Sequence, residues 1–97
     1  MRPIVYRRAA IDDLLAIGEY ITARNPAAAK RVAERIRRTI HGIIADFPES
    51  GRQSEEDTRE FVVSGLPYVV IYRFDEDQIE IVAVFHTSRD PATKRKA

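Results

Sequence analysis

The sequence predicts an α+β, two-layer domain: an antiparallel helical hairpin packed on a curved, mainly antiparallel four-stranded sheet, in the order β-α-α-β-β-β. Three observations carry this expectation. Two long stretches with apolar residues at three- and four-residue spacing are separated only by Asn25-Pro26. Three short β-rich stretches follow, joined by short polar links. A length of 97 residues suffices for one core and leaves no room for a second domain.

The elements follow in order. Residues 3–7 alternate Ile4 and Tyr6 against Val5 and Arg7 and predict a short strand. Ile11, Leu14, Leu15, Ile17 and Ile21 then form an apolar stripe and predict a helix from about Ala9 to Arg24. Asp12 and Asp13 fall in its expected first turn, where carboxylates complement the positive helix end. Asn25 suits an N-cap and Pro26 the first position of a second helix. That helix is predicted over Pro26 to about Phe47, with Val32, Ile36, Ile40, Ile43, Ile44 and Phe47 on one face and Pro48 as its stop. Glu49 to Thr58 is polar and contains Gly51, so a loop is expected. Strands over Glu60–Ser64, Tyr68–Asp75 and Gln78–His86 complete the chain as a meander. The apolar run from Ile81 to Phe85 places the last strand inside the sheet.

Composition narrows the function classes. Hydrophobic residues at 44% and charged residues at 32% exclude a disordered chain. Without cysteine there is neither a disulfide nor a thiolate metal site. No apolar run reaches the ~20 residues of a membrane span, and the start lacks the core of a signal peptide, so the cytoplasm is expected and a membrane partner is not. The net charge of +1 is neutral on nucleic acid, but its distribution is uneven. Arg31, Arg35, Arg37 and Arg38 crowd the second helix, and Lys94, Arg95 and Lys96 end the chain. Glu55-Glu56-Asp57 and Asp75-Glu76-Asp77 are read as solvated turns. His41 has no partner cluster that would make it a metal ligand, and no serine sits in a nucleophile motif. No cofactor or metal is expected.

Several separated motifs then carry a resemblance over nearly the whole chain. They are Ala10-x-x-Asp13-Leu14-x-x-Ile17-x-x-Tyr20-Ile21, Asn25-Pro26-x-Ala28-Ala29 and Ile40-x-x-Ile43. Phe47-Pro48-x-x-Gly51-Arg52 and Arg59 follow, then Gly65-x-Pro67-Tyr68-x-x-x-Tyr72-Arg73 and Ile81-x-x-Val84-x-His86-x-x-Arg89-Asp90-Pro91. In order and spacing these resemble the ParE-like branch of the RelE/ParE toxin superfamily, the toxins of type II toxin–antitoxin systems. The resemblance implies one toxin domain over residues 1–97, with 92–97 as a flexible tail. It also implies a cognate antitoxin whose disordered segment folds on binding, a toxin–antitoxin hetero-oligomer, operator DNA reached only through the antitoxin, and a place in plasmid stabilisation.

The superfamily has two biochemical branches. ParE-like members block DNA gyrase without catalysis. Here that reading puts target contacts on Arg31, Arg35, Arg38, Lys94 and Arg95, since arginine is enriched at interface cores. The other branch cleaves messenger RNA on the ribosome. Its candidates here are Arg59, Arg73, His86 and Arg89, with Glu60 as a base and His86 as the group that titrates near neutrality. The strand position where such nucleases carry an arginine is Val69 here, and the loop before the sheet is acidic, which repels RNA. For the antitoxin, Leu14, Ile17, Tyr20, Phe61 and Val63 are the expected anchors, in a groove between helices and sheet. Gly51 is expected to need a backbone angle closed to other residues.

Overall fold

Ile4–Tyr6 forms strand β1, and Arg8–Arg24 helix α1 follows directly. Helix α2 spans Pro26–Arg38 and continues as a π-helical turn over Thr39–Ile44. After a 3-10 turn at Pro48–Ser50 come β2 (Arg52–Gln53), β3 (Arg59–Val62), β4 (Tyr68–Phe74) and β5 (Ile79–His86). This is a computed structural model, and it describes residues 2–55 and 57–88. The expectations for Arg89, Lys94, Arg95 and the 92–97 tail lie outside the described residues.

The sheet has five strands in the order β1-β5-β4-β3-β2, where four were expected. The extra strand, Arg52–Gln53, falls inside the predicted loop and pairs antiparallel with Glu60 and Arg59. Two residues are too few to display an alternating pattern, so β2 exists only because β3 offers it an edge. β1 runs parallel to β5, and the remaining pairs are antiparallel. β5 is an interior strand, as its apolar run predicted, but β4 is the centre and is buried from Tyr68 to Tyr72.

Both helices lie on one face of the sheet, and the main core forms between them. Ala10 from α1, Ile36, Ile40 and Ile44 from α2 and its π turn, and Val70, Tyr72, Ile79, Ile81 and Val84 from the sheet are its centre. Val69, Ile71 and Phe85 form a second cluster with Val82 and Ala83. A bulge explains how consecutive residues of β5 join that cluster. Tyr72 pairs with Ile81 while Ile71 pairs with Ala83, so Val82 is an extra residue and the alternation restarts after it. Ile81 to Phe85 is therefore continuously apolar because both faces carry an apolar cluster and the phase slips once.

The helix ends correct two details. α1 begins at Arg8 and has no acidic residue in its first turn. Asp12 instead pairs with Arg8 at 3.4 Å, and the Asp13 carboxylate accepts the Val84 N–H of β5 at 3.0 Å. Asp13 thus ties α1 to β5 beyond Ile81, the last residue that β1 pairs. In α2 the predicted continuous apolar face does not reach Phe47. The Ala45 N–H bonds back five residues to the Ile40 carbonyl, which marks an inserted residue. The insertion advances the helix phase: Ile40 and Ile44 stay in the core, while Ile43 and Phe47 turn outward.

The hairpin corner is a single residue. Asn25 closes α1 through its N–H to the Ile21 carbonyl, and its side chain accepts the Ala28 N–H at 3.1 Å to open α2. Pro26 follows at the start of α2. Asn25→Ala should cost about 1 kcal/mol and lower Tm by about 5 °C, checked by thermal melting; an unchanged melt would show that the cap does not hold the corner.

Candidate functional site

The three described nuclease candidates, Arg59, Arg73 and His86, lie apart from one another. Arg59 donates to the Gly51 carbonyl at 2.8 Å and the Glu49 carbonyl at 3.2 Å, with its guanidinium 5.7 Å from the Phe74 ring centre. Neighbouring Glu60 is paired with Arg52. Arg73 donates from Nε to Glu80 at 2.6 Å and reaches Asp57 at 3.6 Å, while Arg7 takes the other Glu80 oxygen at 3.2 Å. His86 accepts the Ser88 N–H at Nδ1 and lies edge-on to the Tyr68 ring at 5.3 Å. Arg59 pairs across the sheet with Tyr72, and His86 with Tyr68. Those positions are four residues apart along β4, or about 13 Å. Arg73, next to Tyr72, projects from the opposite face. Arg59, Arg73 and His86 therefore occupy three separate places, and Arg89 lies outside the described residues.

Much of the motif pattern proves to be architecture around Tyr72. Its side chain is fully buried, and its hydroxyl donates to the Pro48 carbonyl at 2.5 Å and accepts the Gly51 N–H at 2.9 Å. Arg59 holds the same turn from the other side through the Glu49 and Gly51 carbonyls. Gly51 has φ −72° and ψ 149°, ordinary extended backbone, so the expected special angle is absent. Glycine is required there for space: a Cβ would lie 2.9 Å from two Tyr72 ring carbons and nearer still to the hydroxyl. The residue with the left-handed angle is Gly65, at φ 74° in the β3–β4 turn.

An apolar crevice of about 300 Å³ opens between α1 and α2. Leu14, Ile17 and Ile21 line it from α1, Val32 and Ile36 from α2, and Ile40 from the π-helical turn. Tyr6, Arg37 and His41 supply its polar groups. The Tyr6 hydroxyl and His41 Nε2 are 2.7 Å apart, with the rings stacked at 6.0 Å. His41 therefore has a partner, which its sequence position did not reveal. A second cleft runs between α1 and the end of β5 and is lined by Asp13, Ile17, Tyr20, Tyr68, His86 and Ser88. Leu14, Ile17 and Tyr20 thus border open clefts. Tyr20 is 59% exposed and lies under the Arg24 guanidinium. Val63 is fully buried and offers a partner no surface, and Phe61 packs against the main core.

The basic residues of α2 also divide. Arg35 donates to the Ser64 carbonyl at 2.6 Å and so holds the β3–β4 turn. Arg37 and Arg38 share one oxygen of Glu34, at 3.2 and 3.7 Å. Arg31 is exposed, and among the described residues it pairs with no carboxylate.

Burial raises the hydroxyl pKa of both Tyr6 and Tyr72 above the ordinary value of 10.0; Arg37 partly offsets this for Tyr6, and the Gly51 N–H does so for Tyr72. A raised folded-state pKa gives stability that is complete below pH 10 and is lost as pH climbs through the folded value. Urea midpoints should therefore fall above pH 10, and the fall should be shallower in Tyr72→Phe. An equal fall in both proteins would contradict this assignment.

Comparison with known proteins agrees with this architecture. The sequence model of the family described as the ParE toxin of the type II toxin–antitoxin system, parDE, matches residues 4–91. The chain is 37% identical over 89 residues to Toxin RelE2 of Caulobacter vibrioides, covering 92% of this chain and 99% of that protein. It is 40% identical over 78 residues to the putative toxin Y4kP of Sinorhizobium fredii, covering 79% of each. Its fold matches a chain of the chromosomal ParDE toxin–antitoxin system of P. aeruginosa with a TM-score of 0.79. That match has 21% identity and covers 89% of this chain and 96% of the other.

Proposed function

The chain belongs to the ParE toxin family of type II toxin–antitoxin systems, and from that membership we propose that it arrests growth by poisoning DNA gyrase until an antitoxin captures it. The observation that carries the non-catalytic half of this reading is the dispersal of Arg59, Arg73 and His86. Cleavage through a ribose hydroxyl needs a base, an acid and a cation within hydrogen-bond reach of one phosphate. Here Arg59 braces a turn, Arg73 sits between two carboxylates, and His86 faces Tyr68 about four residues along the sheet. No common phosphate position serves all three.

A protein target places different demands on the surface. It needs exposed arginines with slack in their pairing and an apolar surface beside them. Arg31 and Arg38 on the outer face of α2 meet the first requirement, and Phe47 and Ile43, 62% and 43% exposed, lie further along the same chain segment. The antitoxin would use the clefts bordered by Leu14, Ile17 and Tyr20. Its binding would silence the toxin by covering or immobilising the target surface.

Induction of the chain in a test bacterium, with the DNA-damage response and transcript integrity followed together, tests the reading. Damage signalling with intact transcripts supports it. Rapid transcript cleavage without damage signalling overturns it in favour of a ribosome-dependent nuclease.

A further inference from the structure

We propose that the outward stripe of α2, built on Lys30, Arg31, Arg37 and Arg38, seats on the sugar-phosphate backbone of the DNA duplex that gyrase holds. This rests on the gyrase reading above and adds to it that the chain bridges enzyme and DNA, with α2 on the DNA.

Charge in this chain is segregated. The net charge is only +1, yet the 13 residues of α2 carry five cations against one carboxylate, Glu34. Residues 39–88 carry the opposite balance, ten carboxylates against three arginines, with six of the ten in Glu55-Glu56-Asp57 and Asp75-Glu76-Asp77. A polyanion is therefore drawn to α2 and repelled by those acidic runs, which fixes how the chain approaches it.

The stripe follows the helix. Ala27, Lys30, Arg31, Glu34, Arg37 and Arg38 recur at three- and four-residue spacing, share one side of α2 and are all exposed. Internal neutralisation is slight. Arg37 and Arg38 share one oxygen of Glu34, at 3.2 and 3.7 Å. Lys30 and Arg31 make no ion pair among the described residues. From Lys30 to Arg38 the helix axis runs about 12 Å, and the same length of duplex presents about seven phosphates.

The composition of the stripe favours DNA over a protein surface. A protein interface has an apolar or aromatic centre and is poor in lysine. Here Ala27 is the only apolar side chain of the stripe, so such a centre would have almost nothing to bury. The exposed apolar residues Ile43 and Phe47 lie beyond its C-terminal end. The protein contact belongs there, and the phosphate contact on α2. Contacts to phosphate carry no sequence information, so this one is indifferent to the DNA sequence.

The chain has no cysteine, so Ala27→Cys places a single thiol on the stripe and leaves every charge in place. With a photoactivated crosslinker on that thiol, the full chain is irradiated together with gyrase, ATP and radiolabelled plasmid. Ala27→Cys should join to DNA, and Glu76→Cys, in an acidic turn, should give about 10-fold less DNA adduct or none. Fluorescence anisotropy without gyrase supplies the second measurement. Two short duplexes of unrelated sequence should bind equally, with affinity falling as about the third power of salt concentration. Arg31→Glu/Arg38→Glu should lower that exponent by about two. Arg31→Lys/Arg38→Lys should keep affinity within about threefold, because phosphate neutralisation needs the charge and not the guanidinium. All these sites are exposed, and circular dichroism checks that each variant folds. An Ala27→Cys chain that joins only to gyrase protein, or a DNA affinity unchanged by the glutamate pair, overturns the DNA contact and leaves the gyrase reading intact. DNA binding without broken plasmid overturns the gyrase reading, and with it the placement of this DNA on gyrase.

Discussion

Gly51→Ala should be among the most damaging single-atom additions this fold can receive, lowering stability by about 3 kcal/mol or more and Tm by about 15 °C. The added methyl would meet the Tyr72 ring at 2.9 Å, and that ring has no route of escape. Tyr72 is fully buried at the centre of the sheet, with its hydroxyl held between the Pro48 carbonyl and the Gly51 N–H. Relief requires either moving the turn, which Arg59 grips at two carbonyls, or losing both hydroxyl bonds. Tyr72→Phe leaves the ring in place and strands a buried N–H and carbonyl, at a cost of about 2 kcal/mol. The two sites touch, so their effects should not add. Alanine at position 51 should cost less in the phenylalanine background, because the atom it hits first is gone. Denaturant unfolding of the four proteins measures this coupling. Full additivity would show that the turn moves freely and that the contact is not a constraint.

This contact also shows how the sequence encodes the fold and where it conceals it. Apolar spacing revealed α1 and α2, and Asn25-Pro26 revealed the corner, because those signals are local. β2 was hidden, since Arg52–Gln53 is a strand only through a partner eight residues away. The π turn was hidden because Ile43 and Phe47 fit an α-helical stripe, and only the inserted residue turns them outward. Gly51 was noticed for the wrong reason: a glycine required by a side chain 21 residues distant resembles one required by its own angle. The candidate site divided in the same way. Leu14, Ile17 and Tyr20 border open clefts because their helix phase leaves them at the edges of α1. Val63 could not be placed from the sequence, because alternation does not say which face of a strand is buried. The part that His41 plays beside Tyr6, 35 residues away, had no local signal at all.

The second large effect concerns toxicity. Arg31→Glu/Arg38→Glu should abolish growth arrest, through a loss of target affinity of about 100-fold or more, the order seen when central interface arginines are removed or reversed. The fold should survive. Among the described residues Arg31 makes no ion pair, and Arg38 surrenders only a 3.7 Å contact with an exposed carboxylate, so the stability change should stay near 0.5 kcal/mol. His86→Ala should leave growth arrest unchanged, as expected if its ring serves only Tyr68 and the Ser88 turn. Plating efficiency after induction, with expression checked by immunoblot, separates these outcomes. If His86→Ala rescues growth while the charge reversal does not, the arginine face is not the working surface and the histidine is.

The proposed action on gyrase as a protein ligand, without chemistry on RNA, is tested most directly by incubating the purified chain with gyrase, ATP and supercoiled plasmid, then denaturing with detergent and protease to reveal broken DNA. The account predicts linear plasmid that appears only with both proteins, rises with chain concentration, persists with His86→Ala and vanishes with Arg31→Glu/Arg38→Glu. Intact plasmid at every concentration, together with cleavage of a ribosome-bound messenger by the same preparation, would contradict it.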